Sequence, residues 1–251
     1  MKFSLITVCH NCEIHIRTAI ESVLSQTYPY IEYIIIDGKS ADGTVEIIKN
    51  YEYGNVWLKW ISEPDKGMYD AMNKGIRMAT GEIVGILHSD DFYNYTHCIE
   101  TVAKVFEDSS IDACFADVRF VKPDNINKTV RYYSSAKFHP GWFRWGFMPA
   151  HPTFFVRRKY FEEIGFYKTD YQIAADYELL IRFLHTNKLK YKYIPMNMIT
   201  MRTGGKSTRS WKSNYILNKE IDRACKENGI YTNFFILLLK YFRKIFELIP
   251  L

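Results

Sequence analysis

The sequence has no Gly-x-x-x-x-Gly-Lys-Ser/Thr phosphate loop, and no Gly-x-Gly-x-x-Gly follows its first apolar run. Those loops are how P-loop NTPases and dinucleotide dehydrogenases bring backbone N–H groups onto phosphates, so both classes are argued against. A bound diphosphate would have to be held by side chains and a metal ion. There is also little on which to build a membrane span. The apolar run 234–239 is six residues long before Lys240 interrupts it, against about 20 for a spanning helix. Charge of one sign is scarce. A formal net charge of +5 suits phosphorylated ligands or an anionic membrane surface, but is too small to argue for nucleic acid. The cysteines number five, at 9, 12, 98, 114 and 225. An odd count in a chain this long argues against a disulfide framework and fits a reducing compartment, with a cytoplasmic location expected. No secretory signal is expected, because Met1-Lys2-Phe3 runs straight into strand-like sequence. Internal repeats and low-complexity tracts are lacking too.

What is present is a globular composition, 47% apolar and 24% charged over 251 residues. That length holds one large α/β domain with an appendage, or two small domains. Residues 3–9 form a nearly continuous apolar run, the mark of a strand buried on both faces. Asn11 is placed to cap a helix in which Ile16, Ala19, Ile20, Val23 and Leu24 recur at helical spacing. A second buried strand over 31–36 stops at Asp37-Gly38, and Asp42 caps the next helix through Val45, Ile47 and Ile48. The alternation continues with a strand at 56–61, a helix at 69–79 closed by Gly81, a strand at 83–87, a helix at 98–106 and a strand at 113–121. Alternating strands and helices with short joins imply a mostly parallel sheet flanked by helices. Past Asn125 the pattern weakens: 138–155 reads as cleft-covering loops, 176–185 and 211–227 as helices. The expected division is a catalytic-type domain over 1–210 and a helical C-terminal extension over 211–251.

Ligands of open parallel α/β sheets bind beyond the carboxyl ends of the strands. Three predicted strand ends carry polar or acidic groups there: Thr7 to Asn11, then Asp37 to Asp42, then Asp90-Asp91. Adjacent carboxylates after an apolar strand are costly unless something neutralises them, and a hard divalent cation shared with substrate phosphates does so. Two ordinary readings stay open: Asp90-Asp91 as a loop pair capping the next helix, and Asp37 as a turn aspartate.

Several motifs in order resemble a known family. They are Thr7-Val8-Cys9-His10-Asn11, IIIDGKSADGT at 34–44, SEPDKGMYDAMNKGIRMATGEIVGILHSDD at 62–91, AHPTFFVRRKYFEEIGFY at 150–167, AADYELLIRF at 174–183 and GGKS at 204–207. Together they cover residues 3–210 and resemble the family 2 glycosyltransferases of the GT-A fold. The nearest likeness is to the bacterial WcaA/WcaE-like branch that builds capsular and exopolysaccharides. The resemblance implies an inverting transfer from a UDP- or GDP-sugar to a glycan or lipid-linked glycan, with Mg2+ or Mn2+ as cofactor. It implies that Thr7, His10 and Asp37 line the base pocket and that Asn11 binds the donor. Asp65, Asp70 and Asn73 would hold nucleotide and sugar, Asp90 the ribose and Asp91 the metal. Asp176 would be the general base, and Arg202 with the loop through Ser207 would close over the diphosphate. The chemistry suits these types: a Lewis acid offsets charge on the leaving diphosphate, and a carboxylate takes the acceptor proton.

Two positions depart from the family pattern. His88 stands where an acid is common, and Ala175 precedes Asp176 where Glu is common, so Glu178 is a substitute candidate for the base. Cys9-x-x-Cys12 with His10 and His15 lacks the second pair a structural zinc site needs. His151 is either a phosphate or acceptor contact or a satisfied core histidine. Trp142, Phe143, Trp145 and Phe147 either face the acceptor or simply pack. Segment 233–249 reads as an amphipathic helix with Lys240, Arg243, Lys244 and Glu247 on one face. It is able to lie in a membrane surface or to dock on the domain or on a partner in a homodimer. Two other classes remain as alternatives. A sugar nucleotidyltransferase would open with a Gly-rich basic loop, which Thr7–Glu13 lacks. A non-catalytic nucleotide-sugar-binding relative would have less reason to keep Asp37, Asp91 and Asp176.

Overall fold

A computed structural model describes residues 1–204 and 211–239. Its strands are β1 (Phe3–Cys9), β2 (Ile31–Asp37), β3 (Leu58–Ser62), β4 (Ile83–Ile86), β5 (Phe92–Tyr93), β6 (Ala113–Lys122), β7 (Asn125–Tyr133), β8 (Phe155–Arg157) and β9 (Tyr191–Arg202). Among the described residues they form one sheet in the order β3-β2-β1-β4-β8-β6-β9-β5, with β7 paired to β6. The helices are α1 (Ile16–Leu24), α2 (Thr44–Glu52), α3 (Met68–Met78), α4 (Cys98–Phe106), α5 (Lys159–Glu163), α6 (Ala175–Leu180), α7 (Trp211–Glu227) and α8 (Phe234–Leu238). The α/β expectation holds, and β3-β2-β1-β4 is wholly parallel.

Every residue of β1 and β2 is buried, because helices cover both faces. Side chains alternate with period two along a strand. Ile6, Val8, Ile34 and Ile36 therefore pack with Met72 and Ile76 of α3 on one face. Phe3, Leu5, Tyr33 and Ile35 pack with Ile20 and Val23 of α1 and with Val102 and Phe106 of α4 on the other. The chain runs from β1 outward through β2 and β3, then returns to place β4 on β1's other side. That reversal opens a crevice at the carboxyl ends of β1 and β4.

The second half is more regular than its sequence suggests. β7 closes a hairpin on β6, and the twelve-residue β9 runs parallel to β6. Neither stands out as an apolar run. β7 is exposed along Asn125 to Lys128, and β9 contains Pro195. That proline falls within the stretch where the β6–β9 register shifts between Phe115 and Asp117, the kind of irregularity in which a strand tolerates a residue without an N–H. Two capping expectations are corrected. Asn11 does not cap α1: His15 holds that position, and Asn11 sits at φ 50. Gly81 does not close α3, which ends in extended backbone at Ala79. Gly81 is instead needed for close approach, since a Cβ there would lie 2.6 Å from Ser4 Oγ. Among the described residues no helix is long and apolar enough to cross a membrane.

Gly85 marks the closest glycine approach among the strands. It pairs with Phe155 across β4 and β8, and a Cβ on it would lie 2.3 Å from the Phe155 ring. Gly85→Ala is therefore expected to lower unfolding free energy by about 1–3 kcal/mol through overpacking. Urea denaturation checks it, and an unchanged midpoint would contradict the packing described.

Candidate active site

The crevice is a cleft of about 610 Å³. Cys9 and His10 enter it from the end of β1, and Asp65 with Tyr69 from the β3–α3 turn and the start of α3. His88, Ser89, Asp90 and Asp91 follow β4 into it, Met201 and Arg202 end β9 there, and Asp176 rises from the first turn of α6. Six of the residues singled out from sequence thus share one cleft: His10, Asp65, Asp90, Asp91, Asp176 and Arg202.

Thr7, Asn11, Asp37, Asp70 and Asn73 do not line it. Thr7 is fully buried beneath the floor, where its hydroxyl accepts from Tyr33 Oη at 2.9 Å. Asn11 ties two turns together, its N–H donating to Ser40 Oγ at 2.8 Å and its Oδ1 accepting from Ala41 N at 2.8 Å. Asp37 ends β2 with both oxygens engaged: Oδ2 accepts from Ser40 N at 2.9 Å and Ser62 Oγ at 2.6 Å, and Oδ1 from the Ser40 hydroxyl. Asp70 accepts from Lys66 N at 3.0 Å. Asn73 is a buried clamp that donates to Tyr167 O at 2.8 Å and accepts from Tyr167 N at 3.0 Å. Ser207, the rest of its loop, and the 240–249 part of the amphipathic segment lie outside the described residues.

Two glycines shape the donor side. A Cβ on Gly38 would lie 2.4 Å from Asp65 Oδ2, so only glycine lets that carboxylate in. Gly67, at φ 118, turns the chain into α3 and gives its N–H to Asp65 Oδ1 at 2.8 Å. Asp65 is thereby fixed opposite His10, whose Nδ1 is 3.0 Å from Gly38 O.

Asp91 is the electrostatic centre. It is buried, and its Oδ2 has no hydrogen-bond partner. Burial, with Asp90's charge adding to it, holds its carboxyl well above the usual carboxylate range. A hard cation would relieve that cost. Among the described residues no three His, Cys, Asp or Glu side chains cluster at metal-holding distance. The protein's share of a coordination shell is therefore small, and phosphate oxygens and water would complete it, as is usual for Mg2+. The residues fit such an ion. Arg202 closes this corner: it donates to the Asp90 carbonyl, stacks 5.1 Å from the centroid of Phe92, and leaves Nε buried without a partner.

Asp176, in the same lining, is half-buried, and burial pushes its carboxyl up to about 6, countered in part by the Tyr177 N–H 2.8 Å from Oδ1. Glu178 lies elsewhere. It is fully buried, takes Arg182 Nε on both oxygens at 2.9 Å, and pairs with Lys168 Nζ at 2.8 Å. It is a structural ion pair rather than a substitute base, and the i,i+4 spacing to Arg182 already points to that pairing. His88 and His151 rings stand 6.1 Å apart, and burial lowers the affinity of both for a proton, His151 to about 3. His151 is a satisfied histidine at the cleft, its Nε2 2.7 Å from Tyr167 Oη. Of the aromatic cluster, Phe147 lines the cleft and Phe143 is core. Phe120 and Met201 on the sheet and Leu217 and Ile221 on α7 add apolar lining that periodicity could not assign to a site.

The glycosyl transferase family 2 profile matches residues 4–165. An uncharacterised glycosyltransferase of Mycobacterium tuberculosis is 33% identical over 186 residues, 71% of this chain and 67% of the relative. The fold resembles that of Staphylococcus aureus TarS 1–349 in complex with UDP-GlcNAc, with a TM-score of 0.71 and 17% identity over 92% of this chain and 68% of that one. It also resembles the Pyrobaculum calidifontis mannosyltransferase PcManGT in complex with GDP-Man and Mn2+, with a TM-score of 0.61 and 15% identity over 99% and 81% of the two chains. The fold is of the GT-A type, and with a crevice at its β1–β4 switch and a family match across most of the domain, the chain belongs to glycosyl transferase family 2.

Proposed function

We propose that this protein is an inverting glycosyltransferase using a UDP- or GDP-sugar and Mg2+ or Mn2+, with a glycan or lipid-linked glycan as acceptor. Within its family it is placed on the WcaA/WcaE-like branch of surface-polysaccharide synthesis, working on the cytoplasmic side. The observation that carries the reading is one cleft lined by two carboxyls of raised proton affinity, Asp91 near Arg202 and Asp176 on α6. The TarS–UDP-GlcNAc and PcManGT–GDP-Man–Mn2+ complexes support the nucleotide-sugar and metal parts of it.

Asp91, with Asp90 beside it, would hold the divalent ion, which when bound supplies Lewis-acid stabilisation to the leaving diphosphate. Arg202 adds a fixed cation at the same corner. His10 and Asp65 stand where the nucleoside enters, with Thr7, Asn11 and Asp37 shaping the turns behind them. Asp70 and Asn73 brace α3. Asp176 takes the proton from the acceptor hydroxyl as that oxygen attacks the anomeric carbon from the face opposite the diphosphate, which inverts it. Exposed Phe234 and Phe235 on α8 support docking of segment 233–249 on the acceptor membrane or on a second copy.

Thermal-shift titration with Mn2+ and a panel including UDP-GlcNAc, UDP-glucose and GDP-mannose tests this reading. One donor should raise the melting temperature only with the metal present, by the equivalent of about 2.7 kcal/mol at a hundredfold excess over Kd. The same donor should release its nucleoside diphosphate on turnover. Binding without any turnover would instead support a non-catalytic relative.

A further inference from the structure

The loop entering α6 is gripped by a side chain from the far end of the chain. Glu220 of α7 is buried, and its carboxylate accepts three consecutive backbone N–H groups: Gln172 at 2.7 Å on Oε1, Ile173 at 2.9 Å and Ala174 at 2.9 Å on Oε2. The Ile173 carbonyl is taken by the Tyr69 hydroxyl. Two residues later stands Asp176, on a helix whose own N-cap, Ala174, has no side chain with which to cap. One face of α7 holds the preceding turn as well. Arg223 lies 4.3 Å over the Tyr171 ring and pairs with Asp170, while Glu227 accepts from Tyr171 Oη at 2.9 Å and Lys168 Nζ at 2.8 Å. Glu220 itself does not line the cleft.

We propose that Glu220 is a positioning residue for the reaction, fixing through the backbone of 172–174 the place and orientation of the Asp176 carboxylate. The proposal rests on the reading of Asp176 as the base. It makes α7, which lies beyond the family match at 4–165, part of the active site rather than an appended helix. Three charge-assisted bonds to one buried carboxylate define a loop far more tightly than its sequence would, and a misplacement near 1 Å is enough to cost about 10²-fold in rate. Glu220 also acts through space. The charged and titratable groups facing Asp176 are Glu220 from α7, Tyr69 from α3 and Tyr167 ahead of α6. Glu220 favours the protonated acid, and the Tyr69 hydroxyl favours the anion.

The test compares Glu220→Gln, Glu220→Asp and Glu220→Ala with the wild type and Asp176→Asn, using Mn2+ with UDP-GlcNAc or GDP-mannose, whichever the wild type hydrolyses. Glu220→Ala should lower kcat about 100-fold with donor KM within about threefold, and should speed amide exchange at 172–174. Glu220→Gln keeps the size and one accepting oxygen, loses the bonds made by the other, and removes the charge. The acid limb of its kcat/KM profile, and the Asp176 carboxyl titration followed by carbon-13 NMR, should move to lower pH. Glu220→Asp keeps the charge but retracts it, so kcat should fall with no shift of the limb. If Glu220→Ala does not fold, the Gln and Asp variants decide. If Asp176→Asn is inactive while Gln and Asp leave kcat, the acid limb and the NMR titration unchanged, Glu220 is only structural and the proposal fails. If Asp176→Asn keeps wild-type kcat, it is the reading of the base that fails.

Discussion

Asp176→Asn is expected to reduce sugar transfer by about 10²–10⁴-fold, the range a positioned general base contributes, while leaving donor and metal binding within about twofold. The substitution keeps shape and removes only the ability to accept a proton. Asp176 lines the same cleft as Asp90 and Asp91, and burial pushes its carboxyl up to about 6. Wild-type kcat/KM should therefore fall on acidification through about pH 6, as the base becomes protonated, and that limb should vanish from the residual activity of the variant. The linkage sign is consistent with this. A carboxyl raised by burial favours the fold when protonated, so its stabilising contribution is present at low pH and lost as pH rises through about 6. Asp176→Asn should then be no less stable than the wild type at neutral pH, and any loss of rate is chemical. Steady-state kinetics at saturating donor with a melting curve measure both. A variant with wild-type kcat would remove Asp176 from the mechanism, and Glu178 could not replace it, because both its oxygens are committed to Arg182 and one also to Lys168.

The first half of the chain was legible because its signals are local. β1 and β2 are buried on both faces and so read as uninterrupted apolar runs, and α1 and α4 show their core stripes at helical spacing. Acidic strand ends follow from the same reading, which singles out Asp37, Asp90 and Asp91, whereas Asp65 and Asp176 come only with the family resemblance. The second half hides its strands for physical reasons. β7 faces solvent and needs no apolar pattern, and β9 carries a proline at an irregular register. Position within the site was less legible than membership of it. Asp37 and Asp91 look alike in sequence, each an acid after an apolar strand. The first is surrounded by serine donors and the second is left with a bare oxygen. Glu220 carried no signal at all, because its partners are backbone N–H groups more than forty residues away.

That bare oxygen leads to the opposite pattern from Asp176. Asp91→Asn is expected to abolish metal-dependent donor binding while leaving the unliganded protein at least as stable. In the free protein Asp91 Oδ2 is buried without a donor, and its carboxyl holds its proton well above the ordinary range because of burial and Asp90. Its sign matches that of Asp176: the protonated form favours the fold, and the contribution is lost as pH rises through the raised value. An amide does not titrate, so the loss disappears and the melting temperature of the free variant at neutral pH should hold or rise. With Mn2+ and donor the order reverses. Removing a desolvated charge from beneath the ion should weaken binding at least about 100-fold. At a donor concentration a hundredfold above the wild-type Kd, stabilisation then drops from about 2.7 to about 0.4 kcal/mol. A structural aspartate would behave in the contrary way, destabilising the free protein on replacement and leaving the ligand-induced shift intact. Thermal-shift curves with and without Mn2+ separate the two roles, and an undiminished shift in the variant would mean that the cation is held by some other group.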